Sequence, residues 1–197
     1  MKIARILFIL ISASVALSAC STNATTHVAS NLTSPFLTDQ DNQISDDTAL
    51  EGRLKDDLDR QIPGNKIKVV VTNGDVLLVG QVATAAAKTQ ASSICENSPS
   101  TEEVFNYLTV NINPSLNTNS SITADATNRL DKQNDLSTSL LKVITVDDVV
   151  YIMGTNVGNL NSLRRAINGI YSIDNVQKVV NLEQVGPRDY AADSYGQ

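Results

Sequence analysis

Few residues in this 197-residue chain could carry chemistry. The single histidine, His27, lies in a run of Ser, Thr and Asn, where nothing fixes it within the roughly 3 Å that proton transfer to a nucleophile requires. Serines are abundant, but none sits in a nucleophile elbow, and no second histidine could act as a base. Cys20 and Cys95 are the only cysteines, and they have no metal-ligand spacing. No glycine-rich loop is built to cradle a phosphate. Acidic pairs occur at Asp46-Asp47, Asp56-Asp57, Glu102-Glu103 and Asp147-Asp148. Neighbours in a helix or strand point in different directions, so these pairs make no acid/base couple by spacing alone and read as solvated helix faces and hairpin tips. No enzyme activity, cofactor or metal site is expected. Cys95 reads as a small buried hydrophobe on a helix.

Cys20 has a different context. Lys2 and Arg5 precede an apolar run from Ile6 to Leu17, too short for a spanning helix, which takes roughly 20 residues. The run ends in Leu17-Ser18-Ala19-Cys20, which resembles the lipobox of bacterial lipoproteins. The resemblance implies a signal peptide over residues 1–19, cleavage before Cys20 and covalent lipid on its thiol. Two or more acyl chains anchor stably, at about 0.8 kcal/mol per buried methylene. Lipoproteins of this kind that remain in the inner membrane commonly carry aspartate after the cysteine. Ser21 therefore implies the outer membrane, periplasmic face. Acylation of Cys20 would leave Cys95 without a disulfide partner.

The chain carries 15 basic and 21 acidic residues, a net charge of −6, and loss of Lys2 and Arg5 takes it to −8. Nucleic acid as a partner is not supported, because phosphate neutralisation needs clustered Lys and Arg. Wholesale adhesion to anionic lipid is likewise disfavoured.

The elements form two copies of one unit. In the first, Thr48-x-x-Glu51 offers a capping box, and Leu50, Leu54, Leu58 and Ile62 recur at steps of four on one helical stripe. Pro63-Gly64 stops that helix. Two β-rich runs, Ile67–Val71 and Val76–Val82, flank Asn73-Gly74, a strong hairpin signal. A helix over Thr84–Glu96 and a strand over Val104–Val110 complete the unit. In the second copy, Ala126, Arg129, Leu130, Leu136 and Leu140 lie on a weaker helical pattern. Val143–Val146 and Val149–Met153 flank Asp147-Asp148, and Gly154 stands where Gly80 stood. A helix over Leu160–Ile167 ends at Asn168-Gly169, and Val176–Val185 supplies the last strand. Residues 20–45 read as a flexible tether, 46–111 and 122–186 as the two domains, 112–121 as a linker and 187–197 as a disordered tail. The fold class is α+β: two tandem α-β-β-α-β domains, each a three-stranded sheet with two helices on one face. The second face of each sheet must be covered by the other copy, a partner or lipid.

This pattern resembles the BON domain. The residues that carry it are Asn73-Gly74-Asp75-Val76-Leu77-Leu78-Val79-Gly80-Gln81-Val82, Val104-Phe105-Asn106-Tyr107-Leu108, Val150-Tyr151-Ile152-Met153-Gly154 and Val179-Val180-Asn181. Two such domains behind a lipobox resemble the division- and outer-membrane-stress-associated lipid-binding lipoproteins. Asp148 departs from the pattern by replacing a hairpin glycine. Gly74, Gly80 and Gly154 are read as backbone devices rather than ligand contacts.

The resemblance implies a non-catalytic protein that contacts anionic phospholipid membrane and supports envelope integrity. Asp46–Val110 holds ten acidic and six basic residues, whereas Ile122–Val185 holds seven and six, so the second domain is repelled less by anionic head groups. Its candidate lipid-binding residues are Arg129 and Lys132, three apart on one helix, and Arg164 and Arg165 on the next. The alternative is a protein-interaction module, pairing exposed sheet edges with an envelope protein or a second copy.

Overall fold

The computed structural model describes residues 35–139, 141–155 and 158–184. The expected signal peptide, Cys20, the tether up to residue 34 and the tail over 187–197 lie outside the described residues.

Both copies have the expected architecture. The first comprises α1 (Pro35–Gln61), β1 (Lys66–Thr72), β2 (Asp75–Val82), α2 (Ala85–Glu96), β3 (Val104–Asn106) and β4 (Thr109–Val110). The second comprises α3 (Ser120–Asp131), β5 (Leu141–Val146), β6 (Val149–Thr155), α4 (Leu160–Ile170) and β7 (Lys178–Gln184). In each sheet the hairpin strands pair antiparallel, and the crossover strand joins parallel beside the second of them. The third strand of the first sheet is broken into β3 and β4, both paired with β2.

Three element boundaries differ from the sequence reading. Helix α1 starts at Pro35, inside the stretch expected as a tether, and Thr48 is a mid-helix residue whose hydroxyl donates to Ile44 O (2.8 Å) rather than an N-cap. Helix α3 ends at Asp131; Leu136 lies beyond it in an isolated bridge with Gly158, and Leu140 is outside the described residues. Helix α4 continues through Asn168-Gly169 to Ile170, which is fully buried and rewards the extra turn. The apolar stripe of α1 behaves as read, since Leu50, Leu54, Leu58 and Ile62 are all buried. Asp47 does not belong to a solvated face. It is buried, and its carboxylate accepts from the backbone N–H groups of Asn73 (2.8 Å) and Gly74 (3.0 Å), clamping the first hairpin turn.

Each sheet packs one face on its own helices. Ile67, Val69, Val71, Val76, Leu78 and Val82 meet α1 and α2, while Val150, Ile152 and Val179 meet α3 and α4. Alternation turns the intervening residues to the opposite face. There Val70, Leu77 and Val79 of the first sheet pack with Val146, Tyr151, Met153 and Val180 of the second. Tyr107 and Tyr151 meet across this seam edge to face, with ring centroids 5.4 Å apart. The layers therefore run helices, sheet, sheet, helices, and the two copies share a third core.

The segment between the copies is a strap with definite partners. The Gln81 carboxamide oxygen accepts from Asn111 Nδ2 (3.0 Å) and from the Ser115 N–H (3.1 Å), and Gln81 Nε2 donates to Asp147 (3.2 Å). Asn117 Nδ2 donates to the other Asp147 oxygen (2.9 Å). Gly80 makes room for this arrangement: at φ +107, a Cβ there would lie 2.1 Å from Lys66 O and 3.0 Å from Leu116.

Both hairpins turn through two residues of positive φ, Asn73 and Gly74 in the first copy, Asp147 and Asp148 in the second. Asp148 (φ 61) pays the left-handed penalty that glycine avoids. Asp148→Gly is expected to stabilise the protein by about 0.5–1 kcal/mol, read as a raised urea midpoint. Leu77→Ala, in the shared core, is expected to cost about 2–5 kcal/mol. Because the seam couples both copies, fluorescence and circular dichroism should follow one unfolding transition for both proteins. Two separated transitions in the unsubstituted chain would contradict a shared core.

Candidate functional site

The cations singled out in the sequence lie on α3 and α4, the outer helical layer of the second copy. Local sequence sets both helices. The Asn119 side chain caps α3 by accepting from the Ile122 N–H (3.1 Å), and the Asn159 side chain caps α4 through the Asn161 N–H (2.9 Å) and the Ser162 N–H (3.4 Å). Ile122, Ala126 and Leu130 on α3, with Leu163, Ala166 and Ile170 on α4, fix the inward faces. Arg129 and Lys132 then project at the C-terminal end of α3, where the helix dipole favours positive charge.

Arg129, Lys132 and Arg165 line one open cleft of about 480 Å³ between the two helices, together with Asp125, Asn128, Gln133, Ala166 and Gly169. Gly169 lets the Arg129 side chain lie close across α4, since a Cβ there would come within 3.4 Å of Arg129 Nη1. Arg129 Nη1 also donates to Ser172 Oγ (3.2 Å). Arg164 is not part of the cleft; it is exposed, with Nη1 3.5 Å from Asn161 Oδ1. Among the described residues, none of the four cations stands within 4.0 Å of a carboxylate oxygen, so none is paired with Asp125, Asp131 or Asp135.

Ser162 was not legible as a positioning residue. Its hydroxyl is buried, accepts from Arg165 Nη2 (2.6 Å) and donates to Asp135 Oδ2 (2.6 Å). The Ser162 hydroxyl and, more weakly, the Arg165 charge hold the Asp135 carboxyl below its ordinary range. This relay orients Arg165 along the cleft without placing a carboxylate on it.

The matching cleft between α1 and α2 has a different character. At about 420 Å³ it is lined by Asp57, Gln61, Gln90, Ser93, Ile94, Asn97, Ser98 and Pro99, with no cation. The two copies therefore share a fold and differ in the charge of this groove.

Cys95 is fully buried, and its thiol is pushed up to about 12, first by burial and then by the charges of Glu96 and Asp57. A thiol in that state is not a nucleophile. Among the described residues, no group of three His, Cys, Asp or Glu side chains is placed to hold a metal, and no helix is long and apolar enough to cross a membrane.

Ser162→Ala should move the Asp135 titration up toward the ordinary carboxylate range. A carboxyl-carbon NMR titration of both proteins measures this, and an unmoved Asp135 would refute the relay.

The chain is similar to the 21 kDa hemolysin of Actinobacillus pleuropneumoniae, 26% identical over 146 residues that span 71% of this chain and 75% of that protein. Among solved structures it is similar to the C-terminal domain of CdsD, the structural protein of the type III secretion system of Chlamydia trachomatis. That match has 11% identity and a TM-score of 0.30 over 66% of this chain and 94% of that one. A second CdsD structure matches at 9% identity and a TM-score of 0.30, over 68% of this chain and 90% of that one. The BON domain model matches residues 46–112 and again 118–187. With most of its length in these two matches, and with the αββαβ order repeated in its structure, the chain belongs to the BON-domain family and carries two tandem copies of the domain.

Proposed function

We propose that this protein is a non-catalytic lipoprotein, held by lipid on Cys20 at the periplasmic face of the outer membrane, whose second BON domain binds anionic phospholipid and thereby supports envelope integrity. The observation that carries the reading is the α3/α4 cleft. Arg129, Lys132 and Arg165 line it, and none stands within ion-pair distance of a carboxylate among the described residues. Such cations can be neutralised by phosphodiester head groups, each worth about 1 kcal/mol near an anionic surface. Asp125 on the cleft wall and the −1 balance of the second copy keep that attraction modest. An acyl anchor supplies what the cleft does not: it confines the domain to the membrane and raises its effective concentration. Arg164, exposed on the crest of α4, adds a fourth contact outside the cleft. The likeness to a protein named a hemolysin accords with a membrane as the ligand.

The test is co-sedimentation of a fragment beginning at Ser34, the start of the compact unit that holds both domains, with anionic and neutral vesicles. Starting there preserves α1 and removes the proposed acyl anchor. Binding should be selective for anionic vesicles and weaken with salt. Arg129→Glu with Lys132→Glu should reduce it at least about thirtyfold, since about 1.4 kcal/mol corresponds to tenfold. Equal binding by the double variant would move the lipid surface elsewhere. No binding to either vesicle would leave the domains without a lipid role.

A further inference from the structure

The four sheet edges are not alike. At the outer edge of β1, the Ile67 N–H donates to Asn65 Oδ1 (3.0 Å) and the Val71 N–H to Glu51 Oε2 (3.3 Å). The outer edge of β5 is closed by α3 and the strap. Thr145 N–H donates to Thr123 Oγ1 (3.0 Å), Asn119 N–H to Thr145 O (3.1 Å) and Asp147 N–H to Asn117 O (3.0 Å). The third strand of the first sheet is interrupted between β3 and β4, where Asn106 Oδ1 accepts from the Leu108 N–H (3.1 Å). These are the devices that stop an edge from templating another strand.

Strand β7 has none of them among the described residues. It runs seven residues without a break, and its one outward bond is weak, from the Tyr171 hydroxyl to Val179 O at 3.4 Å. That contact marks the Val179 backbone as outward-facing. The alternation of a parallel ladder then turns Asn181 and Glu183 outward as well.

We propose that β7 is a self-association edge, which pairs antiparallel with β7 of a second copy about a two-fold axis through Asn181. The choice of a second copy rests on self-complementarity. Seven residues centred on Asn181 pair in full with their own reverse: Val180 opposite Leu182, Val179 opposite Glu183, and Lys178 opposite Gln184. Like charges never meet. Val180 and Leu182 both belong to the apolar seam between the sheets, so that seam continues across the two-fold axis. On the helical face, Glu183 of one copy comes beside the Tyr171 hydroxyl of the other. Tyr171 is half exposed, so its hydroxyl can turn from Val179 O toward that carboxylate as the strands pair. The three outward residues of each strand would exchange about six backbone hydrogen bonds, giving one continuous sheet of six strands across the two second domains.

The test uses the full chain in mild detergent. Sedimentation velocity should show a concentration-dependent dimer. In the register proposed, the two Asn181 residues form a hydrogen-bonded pair with Cα atoms about 5.5 Å apart, within disulfide reach. Asn181→Cys should give a covalent dimer on mild oxidation, whereas Asn128→Cys, exposed on α3, and the unsubstituted chain should not. Asn181→Pro removes an outward N–H that the sheet itself does not use, and should weaken the dimer at least tenfold with the melting temperature little changed. If Asn181→Pro fails to fold, the cysteine pair decides alone. A monomer at every concentration overturns the proposal, as does a dimer that neither cross-links through Asn181→Cys nor responds to Asn181→Pro.

Discussion

The structure depends on a problem of coverage. A three-stranded sheet with both helices on one side leaves its other side bare, and in each copy that side is apolar. Fully burying a Val or Leu side chain is worth about 1.5–3 kcal/mol, so leaving Val70, Leu77, Val79, Tyr151, Met153 and Val180 in water would forfeit a large part of the stability of so small a domain. Stacking the two bare faces solves both problems at once. It also makes the two copies interdependent, because each completes the core of the other.

That seam dictates much that surrounds it. The strap between the copies has to be held while the sheets face one another, and Gln81 and Asp147 hold it from opposite sheets. Glu51 on α1 adds a bridge at another point of the rim, with Lys68 of β1 at 3.8 Å and Lys142 of β5 at 3.6 Å. These pairs are partly exposed and worth little individually; their role is to set orientation around an apolar centre. With the sheet faces buried, the surfaces left for recognition are the outer helices and the strand edges. The cationic cleft and the outer edge of β7 lie on those two kinds of surface, and both belong to the second copy.

The two copies have diverged in a consistent direction. The first has its turn clamped by the buried Asp47, its third strand interrupted and its helical groove without cations. The second has a strained turn, an unbroken edge and a groove with three cations. Local order has been spent on the first copy, and accessible chemistry is concentrated in the second.

Short-range patterns made the elements legible. The four-residue spacing from Leu50 to Ile62 marked the buried stripe of α1, Asn73-Gly74 marked a turn that needs two positive φ angles, and Gly80 marked close backbone approach. The boundaries that misled depend on contacts distant in sequence. The capping-box pattern at Thr48 and Glu51 is compatible with a helix start, but Glu51 is engaged by β1 and β5. Asn168-Gly169 resembles a helix stop, but burial of Ile170 carries α4 past it. The sequence by itself determined the two-copy αββαβ order, the inward faces and the cationic helix pair, because these follow from periodicities of two and 3.6 and from side-chain charge. Only the tertiary structure decided that the sheets cover each other, that Arg129, Lys132 and Arg165 share a cleft that excludes Arg164, and that β7 is the edge without blocking bonds among the described residues. Each of those depends on which distant residues meet, and one-dimensional spacing does not encode that.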